Sequence, residues 1–149
     1  MGLYDKFQFT FLPACTFFGH RDCPDTIKPQ LREVLNDLIA NHGVTMFYVG
    51  HQGRFDAIVR GVLGQLQKEN PRISYAVVLS RLPREADGDH TMLPEGIESV
   101  HPRYRISWRN RWMLRQSDFV LAYVTHGWGG AAQFVKSAAG QGKRMIRLK

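Results

Sequence analysis

The chain has 149 residues, 44% of them hydrophobic and 22% charged, with twenty Lys and Arg against thirteen Asp and Glu for a formal net charge of +7. That length suits one domain spanning residues 1–149 with a core of ordinary size, and the apolar fraction, free of repeats and low-complexity tracts, excludes a disordered chain. Cys15 and Cys23 lack CxxC spacing and a second pair, so neither a structural zinc site nor a disulfide framework is expected, and the basic balance attracts anions without saying which.

The opening residues are expected to be loose. Residues 7–18 are rich in aromatics but interrupted by Gln8, Thr10, Pro13 and Thr16, with no basic segment before them and no cleavage site after. They read as neither a signal peptide nor a membrane span, and the expected location is the cytoplasm. Residues 15–18 predict a first strand, ended by Gly19, His20, Arg21 and Asp22. Asp25 or Thr26 then suits the cap of a helix whose apolar positions Ile27, Leu31, Val34, Leu35, Leu38 and Ile39 share one face, and Gly43 stops it. Residues 44–49 predict strand two. A turn of Gly50, His51, Gln52 and Gly53 leads into a second helix carrying Phe55, Ile58, Val59, Val62, Leu63 and Leu66, which ends near Asn70-Pro71. Residues 73–79 predict strand three.

Residues 80–106 form a long excursion in which Pro83, Gly88, Pro94 and Gly96 break any periodicity, with a short strand expected at 97–100. A helix over 108–116, a strand over 119–124, a glycine turn, a helix over 131–139 stopped by Gly140 and Gly142, and a strand over 145–148 complete the pattern. Strands alternating with helices predict an α/β, Rossmann-like fold, a mostly parallel sheet of about five strands with helices on both faces. In such sheets ligands bind beyond the carboxyl ends of the strands, where the strand order reverses. Three loops combine glycine with polar side chains directly after an apolar strand: residues 19–22, 50–56 and 125–131. The last is the most informative, because its glycines permit close backbone approach and the unpaired N–H groups of the following helix favour phosphate or carboxylate.

Taken together, Gly19-His20-Arg21, the turn from Gly50 through Gly53 to Asp56, the helix with Arg109, Asn110 and Met113, Ser117-Asp118 ahead of the next strand, and Gly129-Gly130-Ala131 after it resemble the SLOG superfamily over residues 16–148. This Rossmann-like group includes the lonely-guy phosphoribohydrolases, the DNA-processing A proteins and many small stand-alone bacterial and phage proteins. The resemblance is closest to the small members and implies binding of a nucleotide or nucleotide-derived signal such as an ADP-ribose relative. The hydrolases carry RKxxM and PGGxGTxxE motifs, whose arginine and glutamate form the catalytic pair. Here Arg109 and Met113 match the first motif, His126-Gly127 replaces the proline-glycine start, Gly129-Gly130 stands for the GT pair, and Gln133 occupies the glutamate position. An amide is no general base and offers no charge to an oxocarbenium ion, so the resemblance implies binding rather than hydrolysis. Phosphoribohydrolase activity is the first alternative.

The candidate ligand-binding residues are therefore Gly19, His20, Arg21, Gly50, Gly53, Asp56, Arg109, Asn110, His126, Gly127, Trp128, Gly129, Gly130 and Gln133. Arg109 reads as a phosphate clamp through its planar fork, against a plain solvated residue in a basic stretch. Asp56 suits either a ribose hydroxyl or a helix cap. Trp128, flanked by glycines, suits stacking on a base better than core packing, whereas Trp108 and Trp112 share a helix face and suggest packing or, from the resemblance, a homodimer contact. His20, His51 and His126 each follow a strand, but no carboxylate or cysteine stands at ligand spacing, so hydrogen bonding is expected rather than zinc. No cofactor is called for. Arg103, Arg105, Arg109, Arg111 and Arg115 form the densest basic group. DNA binding is the second alternative, disfavoured because the remaining bases are scattered.

Overall fold

The computed structural model describes residues 12–149, so the expected loose start and the first part of the aromatic segment 7–18 lie outside the described residues. Six strands form one sheet in the order β4-β3-β2-β1-β5-β6, comprising β1 (Ala14–Gly19), β2 (Met46–Val49), β3 (Ser74–Val78), β4 (Thr91–Met92), β5 (Phe119–Tyr123) and β6 (Arg144–Arg147). Every neighbouring pair is parallel. The α/β, Rossmann-like expectation holds, with six strands in place of about five. Four α-helices are seen among the described residues: α1 (Lys28–His42), α2 (Gly53–Glu69), α3 (Arg105–Gln116) and α4 (Gly130–Gly140). None is long and apolar enough to cross a membrane.

Side-chain alternation along the strands divides the core in two. Phe17, Phe47, Val77 and Leu121 pack with Leu31, Leu35 and Leu38 of α1 and the apolar stripe of α2. Phe18, Val78, Val120 and Ala122 turn to the opposite face and meet Met113 and Leu114 of α3 and Val135 and Ala138 of α4. Trp112 stands edge-on to Tyr48 on that face, with ring centroids 5.4 Å apart, which is the packing role its helical spacing suggested. Asp118 serves the entry to the sheet, its Oδ2 accepting the Ala14 N–H at 3.1 Å.

Two local expectations are corrected. Asp25 and Thr26 do not cap α1. Residues Asp25–Ile27 form a 3-10 turn that runs straight into the helix with no side-chain cap at either N-cap position, Pro24 or Ile27. The strand expected at 97–100 is instead the 3-10 turn Ile97–Ser99, because Gly96 adopts φ +93 and reverses the chain, and the Ser99 hydroxyl donates to the Gly96 carbonyl. The added strand of the excursion is β4. It is held when the Val77 and Leu79 N–H groups donate to the His90 and Met92 carbonyls, at 2.8 and 2.9 Å.

Candidate functional site

The strand order reverses between β1 and β5, which leave the sheet side by side with Gly19 paired to Tyr123. Helices depart to opposite faces there, and the chain leaves a cavity of about 470 Å³ at the carboxyl ends of these strands. Its walls come from the three glycine loops and from α3.

Contacts between the loops fix their shape. His20 is buried; its N–H donates to the Tyr123 carbonyl at 3.2 Å, and its Nε2 accepts the Thr125 N–H at 3.0 Å. One imidazole thus ties the loop after β1 to the loop after β5, and the acceptor role at Nε2 places its proton on Nδ1. Burial and the adjacent His126 hold this imidazole below its ordinary value of 6.5, outweighing the pull of Asp22 in the other direction. The Arg54 N–H donates to the Arg21 carbonyl at 3.0 Å, joining the β1 loop to the start of α2. Gly53 sits at that junction with φ +79, and a Cβ there would lie 3.0 Å from the Arg21 Cα. A side chain is thus excluded twice over.

The cavity floor holds two buried ionisable groups, Arg109 and Asp56, close enough for each to feel the other's charge but not in ion-pair contact. Arg109 is 1% exposed; Nη1 donates to the Val78 carbonyl at 2.7 Å and Nε to Asn110 Oδ1 at 2.8 Å. Asp56 is also buried, and its Oδ2 accepts the Gln52 N–H at 3.0 Å. Burial raises the Asp56 pKa, against the lowering effects of the Gln52 N–H and then of Arg109, and the same burial lowers that of Arg109 against the effect of Asp56. Both groups crowd Gly50: a Cβ there would meet Asp56 Oδ2 at 2.6 Å and Arg109 Nη1 at 3.1 Å. Gly50 therefore supports the floor from behind.

The reading of Arg109 as a clamp with a free planar fork is corrected in part. Two of its three nitrogens are spent on the protein, so it offers a ligand one edge and a positive charge at the cavity floor. It is no solvated helix residue either. For Asp56 the helix-start role is realised through Gln52, while the carboxyl still lines the cavity.

On the opposite wall the N-terminus of α4 opens at Gly129, with φ +93 and no side-chain cap. The first N–H groups of a helix have no intrahelical partner, so those of Gly130 and Ala131 at the cavity edge are available to an anion. His126 stacks on His20 with centroids 3.6 Å apart, and Trp128 stacks on His126 at 3.8 Å. The His126 Nδ1 is buried without a hydrogen-bond partner among the described residues.

Gly19, His20, Arg21, Asp56, Arg109, Asn110, His126, Trp128, Gly129 and Gly130 thus meet at one cavity. Gly50 and Gly53 stand behind it, and Gly127 faces a separate groove beside Thr125 and Lys136. Gln133 is exposed on α4 and does not line the cavity; only its N–H takes part nearby, donating to the Gly129 carbonyl. His51 also lies apart, with Nε2 3.9 Å from Asp87, which itself accepts two hydrogen bonds from Arg81. Among the described residues no group of three or more His, Cys, Asp or Glu is placed to hold a metal ion.

The site list drawn from sequence lacks Ile106 and Met113, which flank Arg109 and Asn110 in the cavity wall. Their positions three before and four after Arg109 were the available signal, since such residues share a helix face. Asp22, Gln52 and Ala131 also line the cavity, each within a loop already singled out. Three of the remaining arginines of α3 and its approach diverge: Arg105 donates to the Val100 and Glu98 carbonyls, Arg111 to Ser107, and Arg103 lies over the Tyr104 ring. The chain matches no family model and no curated protein.

Proposed function

We propose that this cavity binds a nucleotide or a nucleotide-derived signal of the ADP-ribose type in the cytoplasm, the role inferred for the small SLOG proteins that the sequence resembles. The observation carrying this reading is one cavity at the reversal of strand order that faces both the open N-terminus of α4 and the buried Arg109 guanidinium. Helix N–H groups and a fixed cation together favour phosphate, and a volume of about 470 Å³ accommodates the rest of a small ligand. The ligand stabilises the native state by mass action, about 2.7 kcal/mol at a hundred times its Kd. For a chain of this size that raises the melting temperature by roughly 5–11 °C. Thermal melting against nucleoside mono-, di- and triphosphates, cyclic nucleotides and ADP-ribose measures it, and mass spectrometry of compounds released on denaturation identifies a ligand carried through purification. Ala131→Asp adds a carboxylate at the start of α4, where it complements the helix dipole but repels an anionic ligand. The variant is expected to keep its ligand-free melting temperature and lose the ligand-induced rise. No rise with any compound at saturating concentration refutes the reading.

A second reading, release of a base from a nucleoside 5′-monophosphate, draws on Asp56. A buried carboxyl with a raised pKa on the cavity wall is the kind of group that delivers a proton to a leaving base. Because Gln133 stands outside the cavity, its amide no longer argues against this chemistry. Steady release of adenine from AMP, removed by Asp56→Asn, favours this reading; binding without turnover favours the first.

A further inference from the structure

Trp128 is 72% exposed, the highest value among the exposed large apolar side chains of the described residues. Glycines on both sides leave its backbone free to fold the ring away from water, yet the indole stands at the cavity edge. It is held there by a built support. One face lies on the His126 ring, with centroids 3.8 Å apart and planes within 18°. The His126 ring lies on His20, 3.6 Å away and within 15°. His20 is fixed at its backbone N–H by Tyr123 at the end of β5 and at its Nε2 by Thr125 in the loop that follows. Three nearly parallel rings therefore rise from the sheet, and the outer face of the third is open.

We infer that this outer face is the platform for the base of the ligand, so that the site selects aromatic nucleotides over sugar phosphates. The inference rests on the nucleotide reading above and assigns the ligand's orientation within it. A planar ring prefers an offset stack on another aromatic face, and an indole already held flat loses little conformational freedom when the next ring is added. The geometry also fixes which end of the ligand goes where. Consecutive Cα atoms are 3.8 Å apart, so Trp128 and Ala131 are separated by at most about 11 Å. A base on Trp128 and a phosphate at the first N–H groups of α4 lie within reach of a single nucleoside 5′-monophosphate. Arg109 supplies the fixed positive charge of the same cavity.

The test compares AMP, ADP-ribose and ribose 5-phosphate by equilibrium titration calorimetry on the wild-type chain, Trp128→Leu and Trp128→Phe. Replacing an exposed side chain leaves the core intact, which equal melting temperatures of the ligand-free proteins verify. Stacking of a base on an aromatic side chain corresponds to roughly tenfold or more in affinity. Trp128→Leu is expected to weaken AMP and ADP-ribose by that factor while ribose 5-phosphate binds unchanged, and Trp128→Phe to recover most of the loss. Unchanged binding of AMP and ADP-ribose to Trp128→Leu overturns the inference and leaves the nucleotide reading standing, with the exposed indole then serving another contact. Equal weakening of all three ligands also overturns it, because Trp128 then only shapes the loop. If neither AMP nor ADP-ribose binds the wild-type chain, this inference falls, and the nucleotide reading falls as well only if the whole panel of nucleotides gives no rise in melting temperature.

Discussion

Replacing Arg109 with Met tests whether the cavity floor is a coupled charge pair. The substitution keeps much of the apolar stem but removes the cation that faces Asp56 and the donors to Val78 and Asn110. Breaking a buried pair by removing one partner costs about 3–5 kcal/mol, most of it from the stranded charge. For a chain of this length that lowers the melting temperature by roughly 6–20 °C. Asp56 has one escape, which is to take up a proton. Its pKa is already raised by burial, and losing the Arg109 charge raises it further. A carboxyl whose folded pKa exceeds its unfolded value favours folding below the unfolded pKa, and that contribution is lost as pH rises through the folded pKa. The gap between wild type and Arg109→Met is therefore widest at neutral pH and narrows on acidification towards the ordinary carboxyl value of 3.8. Asp56→Asn in the same background removes the stranded charge while keeping an oxygen for the Gln52 N–H, and recovers a large part of the loss. Urea unfolding followed by circular dichroism across pH, on both single variants and the double variant, measures the coupling directly. Additive effects, or a cost for Arg109→Met below about 1 kcal/mol against the 3–5 expected for a coupled pair, refute the reasoning.

Gly19→Ala drives a methyl into the Phe55 ring, an overpacking expected to cost about 1–3 kcal/mol, and adding Phe55→Leu recovers part of it in urea unfolding. His20, held below its ordinary value of 6.5 by burial and His126, keeps its full contribution to stability above that value and loses it as pH falls from there through the folded pKa; His20→Gln flattens this acid limb in melting experiments between pH 7 and 5. Binding to duplex DNA is expected to be weak and to disappear as salt rises towards physiological strength, since Arg103, Arg105, Arg109 and Arg111 are engaged at different places; a fluorescence-anisotropy isotherm that survives 150 mM salt, taken as about the physiological level, contradicts this. Gly130→Ala leaves the ligand-free stability within roughly 1 kcal/mol of wild type, as a helix-favouring residue in open space should, and reduces the nucleotide-induced rise in melting temperature.

Helix periodicity makes much of the fold legible in the sequence alone. Phe55, Ile58, Val59, Val62, Leu63 and Leu66 follow one face of a helix in sequence, and all six are buried in α2. β4 was hidden for the opposite reason: two residues, Thr91 and Met92, are too few to display alternation, and only pairing with β3 makes them a strand. The orientation of Arg109 was hidden too. Within RNRWMLR every arginine looks alike, and what turns this one inward is a carbonyl at Val78 and a carboxylate at Asp56, both distant in the chain. Gln133 reads as a cavity residue in sequence and is not one in the fold. The motif put it beside the glycines, but its position on α4 turns the side chain to solvent.

The glycines divide into two kinds once their surroundings are known. Gly19, Gly50 and Gly53 are demanded by the protein itself, because a Cβ at each would strike Phe55, Asp56 or Arg21. Glycine there records how tightly the first two loops pack and does not by itself point to a ligand. Gly130 is different. It lines the cavity, is not among the glycines with positive φ, and, its chain neighbours and own helix backbone aside, has no atom within 4 Å of where a Cβ would stand. Neither backbone conformation nor crowding requires glycine at this position, and glycine costs a helix about 1 kcal/mol relative to alanine. Gly130 stands with Trp128 at the edge of the cavity that Arg109 lines, so a methyl group that the fold itself tolerates there tests whether a bound molecule needs the space.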